Sequence, residues 1–166
     1  MVRPLLLLDV DGPLNPWAAK ADAKPAGYIE HRFKLSRWSR RKPLRMWLNP
    51  DHGAALLQAA NQAELVWATT WEHQANTMVG PAIGLPPLPV IHFGETSDTW
   101  KFAAVLRYAA GRPLVWLDND FDMYSGARDS FLAAREAAGL GTELVRVDPH
   151  TGITAADLAA VRAALC

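Results

Sequence analysis

Residues 5–12 read Leu-Leu-Leu-Leu-Asp-Val-Asp-Gly, an apolar run that stops abruptly at two carboxylates one residue apart and a glycine. Four consecutive leucines suit a strand covered on both faces. That is the setting of a parallel α/β sheet, whose carboxyl strand ends open onto a ligand crevice. Side chains at i and i+2 share one side of an extended chain, so Asp9 and Asp11 crowd two negative charges together unless a cation or a shared proton relieves them. Gly12 lets the backbone turn sharply and come close to a ligand. The plainer alternative is that the aspartates only open a polar turn.

Segments 64–69 (Glu-Leu-Val-Trp-Ala-Thr) and 113–118 (Pro-Leu-Val-Trp-Leu-Asp) repeat the pattern of a buried strand ending in a polar residue. Residues 142–147 read as a fourth strand and 88–93 as a short fifth. Asn49-Pro50-Asp51 signals a helix start leading into 54–61. Phe102, Val105, Leu106 and Ala109 form an i, i+3, i+4, i+7 stripe, and Leu158, Val161 and Leu165 line a closing helix. Strands alternating with helices predict a three-layer α/β/α sandwich around a mainly parallel, five-stranded, Rossmann-like sheet. With 166 residues, half of them hydrophobic, one domain spanning 1–166 is expected. Residues 13–50 interrupt the alternation. Two short extended pieces there, 28–33 and 44–48, flank a basic turn and predict a hairpin flap or minimal cap over the strand ends.

Seventeen basic and seventeen acidic residues cancel, which argues against global attraction to nucleic acid or membrane. Cys166 is the only cysteine, so no intrachain disulfide forms. The opening apolar run is too short for a membrane span and unlike a cleavable signal peptide, so a cytoplasmic protein is expected. His31, His52, His73, His92 and His150 show no metal-ligand spacing and read as surface or packing residues. Trp67 and Trp116 fall inside strands and read as core. Ser125 and Ser130 lack a nucleophile-elbow context.

The polar positions at strand ends and helix starts are Asp9 with Asp11, Thr69 with Thr70, Lys101, and Asp118 with its neighbours. Adjacent strands lie about 4.8 Å apart, so carboxylates ending two of them can grip one small cation. Oxygen-only ligands suit a hard ion such as Mg²⁺, which keeps waters and a substrate phosphate. In this order the residues resemble the four-motif layout of the haloacid dehalogenase superfamily of phosphohydrolases. The run Val66-Trp67-Ala68-Thr69-Thr70-Trp71, with Ala75-Asn76, further resembles the domains of that superfamily associated with Swiss Army Knife RNA repair proteins.

The resemblance implies phosphoryl transfer through an aspartyl phosphate. Asp9 would be the nucleophile, and Asp11 would act as the acid and then the base. Mg²⁺ would be held by Asp9, the backbone carbonyl of Asp11, and Asp118. Thr69 would bind a phosphoryl oxygen and Lys101 would be the third-motif cation. Each reading has a rival. Thr69-Thr70-Trp71-Glu72 also matches a capping box, and Thr70 is a one-residue alternative to Thr69. Lys101 follows Ser97-Asp98, a candidate helix cap, and would otherwise be a solvated lysine. Asn119 stands where one common family pattern has a second aspartate, leaving Asp120 or Asp122 as substitutes. An EF-hand reading of 118–122 fails because Met123 occupies the glycine position.

Between Glu30 and Asp51 there is no acidic residue. Arg32, Lys34, Arg37, Arg40, Arg41, Lys42 and Arg45 alternate there with Phe33, Trp38 and Trp47. Cations with stacking rings suit a nucleotide or nucleic-acid end, and Arg41 and Arg45, with Thr70 and Trp71, are candidate substrate contacts. The alternative is a solvated hairpin anchored by its aromatics. Residues 72–99 are too few for a large inserted cap, so the site is expected to be open. The function expected is a Mg²⁺-dependent phosphatase acting on nucleotide or nucleic-acid termini. The rivals are a small-metabolite phosphatase with the same machinery and a non-catalytic phosphate-binding module.

Overall fold

The leucines of β1 (Leu5–Leu8) have no exposed surface, because strands flank them on both edges and helices cover both faces. A computed structural model describes residues 2–36, 41–94 and 99–166. The main sheet has four parallel strands in the order β4 (Glu64–Trp67), β1, β5 (Leu114–Asp118), β6 (Thr142–Arg146). Alternate residues divide the core in two. Leu6 and Leu8 face α1 (His52–Ala60) and α5 (Ala155–Leu165), whereas Leu5 and Leu7 face α3 (Phe102–Ala109) and α4 (Ser125–Ala137). The result is helix, sheet, helix. Trp67 and Trp116 are both fully buried.

The fifth strand expected at 88–93 is reduced to a single bridge, Val90 beside Trp67. Pro86, Pro87 and Pro89 lack the N–H groups a ladder needs, so only two backbone bonds reach Trp67, from its N–H to the Pro89 carbonyl and from the Ile91 N–H to its own carbonyl. Asn76 substitutes for a strand partner. Its side chain accepts from the Leu88 N–H and donates to the Leu88 carbonyl, and it also accepts from the Trp67 indole. Asn76 follows Ala75 in a π-helical segment (Ala75–Val79) that runs into the one-turn helix α2 (Gly80–Ile83).

Within 13–50, β2 (Ile29–Phe33) and β3 (Leu44–Leu48) pair antiparallel with Ile29 opposite Leu48 and Phe33 opposite Leu44. The predicted hairpin therefore forms. Met46 and Leu48 drop into the core between sheet and α1, which anchors it. Arg37, Trp38 and Arg40, in its turn, lie outside the described residues. Among the described residues, no helix is long and apolar enough to cross a membrane.

Candidate active site

Register brings the first two acidic positions together. Leu8 lies opposite Leu117 across the β1–β5 pair, and the Asp9 N–H donates to the Leu117 carbonyl at 3.1 Å, so Asp9 and Asp118 leave adjacent strands side by side. Lys101, the residue before α3, reaches both. Its Nζ lies 3.0 Å from Asp9 Oδ2 and 2.7 Å from Asp118 Oδ2. The three residues are 7, 0 and 3% exposed for Asp9, Asp118 and Lys101, so this bridge is not a solvated surface contact.

The remaining carboxylate oxygens take backbone donors. Asp9 Oδ1 accepts from the Val10 N–H at 2.8 Å, and Asp118 Oδ1 accepts from the N–H groups of Asn119 at 2.8 Å and Asp120 at 3.2 Å. Burial, and then the neighbouring Asp118 carboxylate, push Asp9 up to about 7 against the opposing pull of Lys101. Burial alone would lower the Lys101 ammonium, but the facing carboxylates outweigh it and hold it above its ordinary value. One cation thus serves two buried acids.

Lys101 also packs against aromatic rings, 4.7 Å from the centroid of Trp100 and 5.9 Å from that of Phe93. Trp100 has φ +48° and Glu72 has φ +47°, left-handed conformations that side-chain-bearing residues rarely adopt. Each adjoins a site residue, Lys101 and Trp71 respectively, which is where stored backbone strain tends to cluster. Ser97 and Asp98, the candidate cap before α3, lie outside the described residues.

Asp11 stands apart from the Lys101 bridge. Its Oδ1 accepts from Asn15 Nδ2 at 3.0 Å and its Oδ2 from Trp71 Nε1 at 2.9 Å. Gly12, at φ +102°, passes so close to Asn119 that a Cβ would lie 2.4 Å from the Asn119 Oδ1. Asn119 is therefore a packing partner of the turn after β1.

Thr69 is fully buried just past β4, with its Oγ1 accepting from the Trp71 N–H at 3.3 Å. The capping box does not form. The Glu72 carboxylate turns instead to the Phe93 N–H and His92, and the helical segment starts only at Ala75. Thr70 is exposed. Asp122 points elsewhere, in a surface network with Arg128 and with Arg146, the latter at 2.6 Å. Asp120 is partly buried and contributes its N–H to Asp118.

A cavity of about 410 Å³ opens beside Asp11, lined by Asn15, Trp17, Leu44, Arg45 and Trp47 among others. The Arg45 guanidinium lies over the Trp47 ring at 4.5 Å. A second cavity of about 280 Å³ shares Leu44 and Arg45 and is lined also by Lys34, Arg41 and Lys42. Arg32 is paired with Glu30. Asn15, Trp17, Trp100 and Phe93 did not emerge from sequence patterning. An Asn-Pro pair favours a turn, and this is the one local signal that could have drawn attention to Asn15.

Among the described residues, no three His, Cys, Asp or Glu side chains form a ready metal cage. The buried oxygen donors that could hold a hard divalent ion are the carboxylates of Asp9 and Asp118. Their fit is electrostatic, because the pair of buried carboxylates raises the proton affinity of Asp9 even with Lys101 in place. No protein-family model and no curated protein matches this chain.

Proposed function

We propose that the chain is a Mg²⁺-dependent phosphohydrolase of the haloacid dehalogenase type that works through an aspartyl phosphate. The observation that carries this reading is the convergence of Asp9, Asp118 and Lys101 at adjacent strand ends, with Asp11 two residues on and facing a cavity. In the first half-reaction a carboxylate oxygen of Asp9 attacks phosphorus, the bond from phosphorus to the ester oxygen breaks, and Asp11 gives that oxygen its proton. In the second, Asp11 takes a proton from water as the water oxygen attacks the same phosphorus. Asp9 is released and inorganic phosphate forms.

Lys101 holds the nucleophile in place and offsets the charge that gathers on the phosphoryl oxygens. The Thr69 hydroxyl, which accepts from the Trp71 N–H and has no acceptor of its own among the described residues, is suited to one of those oxygens. A bound Mg²⁺, held by Asp9, Asp118 and the Asp11 carbonyl, would supply charge neutralisation between carboxylate and phosphate.

The finer reading is a nucleotide or nucleic-acid terminus as substrate, in keeping with an RNA repair role. It is supported by the cavity at Asp11 with its Arg45–Trp47 stack, and by the adjoining cavity whose lining carries Lys34, Arg41 and Lys42. The test is phosphate release from 3′- and 5′-phosphorylated oligonucleotides and from sugar phosphates, with Mg²⁺ present. Faster release from oligonucleotides is expected. A preference for sugar phosphates would remove the nucleic-acid version, and no release from any of them would remove the phosphohydrolase.

A further inference from the structure

Among the described residues Asp11 makes no ion pair, and its two oxygens are taken by two neutral donors from different parts of the chain. Asn15 comes from the base of the flap and Trp71 from the turn that follows β4. Both donors are themselves held. The Asn15 side-chain oxygen accepts from the Trp47 N–H at 3.2 Å, its backbone carbonyl accepts from the Gly12 N–H at 2.8 Å, and the Trp71 N–H donates to Thr69. Asn15 is buried, and Trp71 packs against the core.

A carboxylate fixed at both oxygens cannot rotate freely about its side-chain torsions. The carboxyl can still carry the proton that the leaving oxygen takes, and once ionised it has a lone pair left to accept one from water. Asn15 and Asp11 line the same cavity, so the clamp keeps the carboxylate at the wall where a leaving group would lie. We propose that Asn15 and Trp71 are positioning residues that aim Asp11 at the leaving oxygen, a role that rests on the phosphohydrolase reading above. Through Trp47 the same clamp ties the acid to the hairpin that walls the cavity.

The chemistry separates this role from mere scaffolding. Proton donation matters most when the departing oxygen is strongly basic, as in an alkyl ester, and least for a nitrophenyl ester, whose anion leaves unaided. The experiment measures kcat and KM for p-nitrophenyl phosphate and for the alkyl phosphate the enzyme turns over best. Trp71→Phe and Asn15→Ala are compared with wild type, each alone and combined with Asp11→Asn.

Each single variant is expected to lose about tenfold more kcat/KM, which reports the step in which the leaving group departs, on the alkyl ester than on the aryl ester. In the Asp11→Asn background that selective loss should vanish, because the acid being aimed is gone. Equal losses of kcat/KM on both esters, or a selective loss that persists without Asp11, would overturn the clamp. A second readout needs no turnover. The Trp71 indole N–H resonance, identified by its absence in Trp71→Phe, should shift in Asp11→Ala, and an unmoved resonance would overturn the hydrogen bond itself. Wild-type protein that hydrolyses neither ester sinks the phosphohydrolase reading and this role with it, whereas equal losses sink only the clamp.

Discussion

Asp9 is the residue whose burial and neighbours work against its charge. The folded protein retains the Asp9 proton up to about 7, whereas the unfolded chain releases it near the ordinary value of 3.8. Between those values the folded state binds more protons, so stability contributed at this site falls as pH rises, and the penalty is complete above the folded pKa. Asp9→Asn removes the charge while keeping the shape. In metal-free buffer the variant should therefore be more stable than wild type at about pH 8, on the order of 2 kcal/mol, with the gap closing toward about pH 4. Urea unfolding at both pH values checks this, and equal stabilities at the higher pH would contradict it. At this scale the aspartates were legible because carboxylates ending an apolar strand are chemically conspicuous. Asn15 was not, since an amide four residues past an aspartate carries no pattern until the turn folds back.

The turn after β1 is the element on which the site depends. Gly12 sits at φ +102° with Asn119 packed where a side chain would go, so Gly12→Ala combines backbone strain with a steric clash. A loss of about 1–3 kcal/mol is expected, along with displacement of Asp11. Gly139→Ala is the control, at φ +67° with open space around the added methyl among the described residues, and should cost about 1 kcal/mol. Denaturant midpoints for the two variants test the difference. The parallel strands and the hairpin could be read from sequence because leucine runs, Val-Trp cores and a basic turn each impose one local geometry. Residues 88–93 were over-read. Their apolar content suggested a strand, but three prolines in that neighbourhood leave a single bridge, and an Asn76 side chain does the pairing instead. At 69–72 the alternative capping box is not realised, because Glu72 finds partners in the 92–93 region and leaves the cap unmade.

For the molecule as a whole, net charge is zero, yet the hairpin side of the cavity is basic. Long-range attraction is therefore weak, and any preference for a polyanion must come from that local surface. Arg45→Glu should raise KM for a phosphorylated oligonucleotide by about tenfold at low salt, far more than for p-nitrophenyl phosphate, and should flatten the salt dependence of KM. Steady-state kinetics across a salt series decides it, and equal effects on both substrates would argue that the hairpin only packs. The convergence of strand ends with a helix start could be anticipated from strand order, whereas the aromatic walls around Lys101 and Asp11 depend on loops without periodicity. The most direct measurement is phosphate release from p-nitrophenyl phosphate by purified wild type and Asp9→Asn, with Mg²⁺ and after its removal by chelation. The account predicts turnover only for wild type with the ion present. Comparable rates from Asp9→Asn would contradict an aspartyl nucleophile at this position.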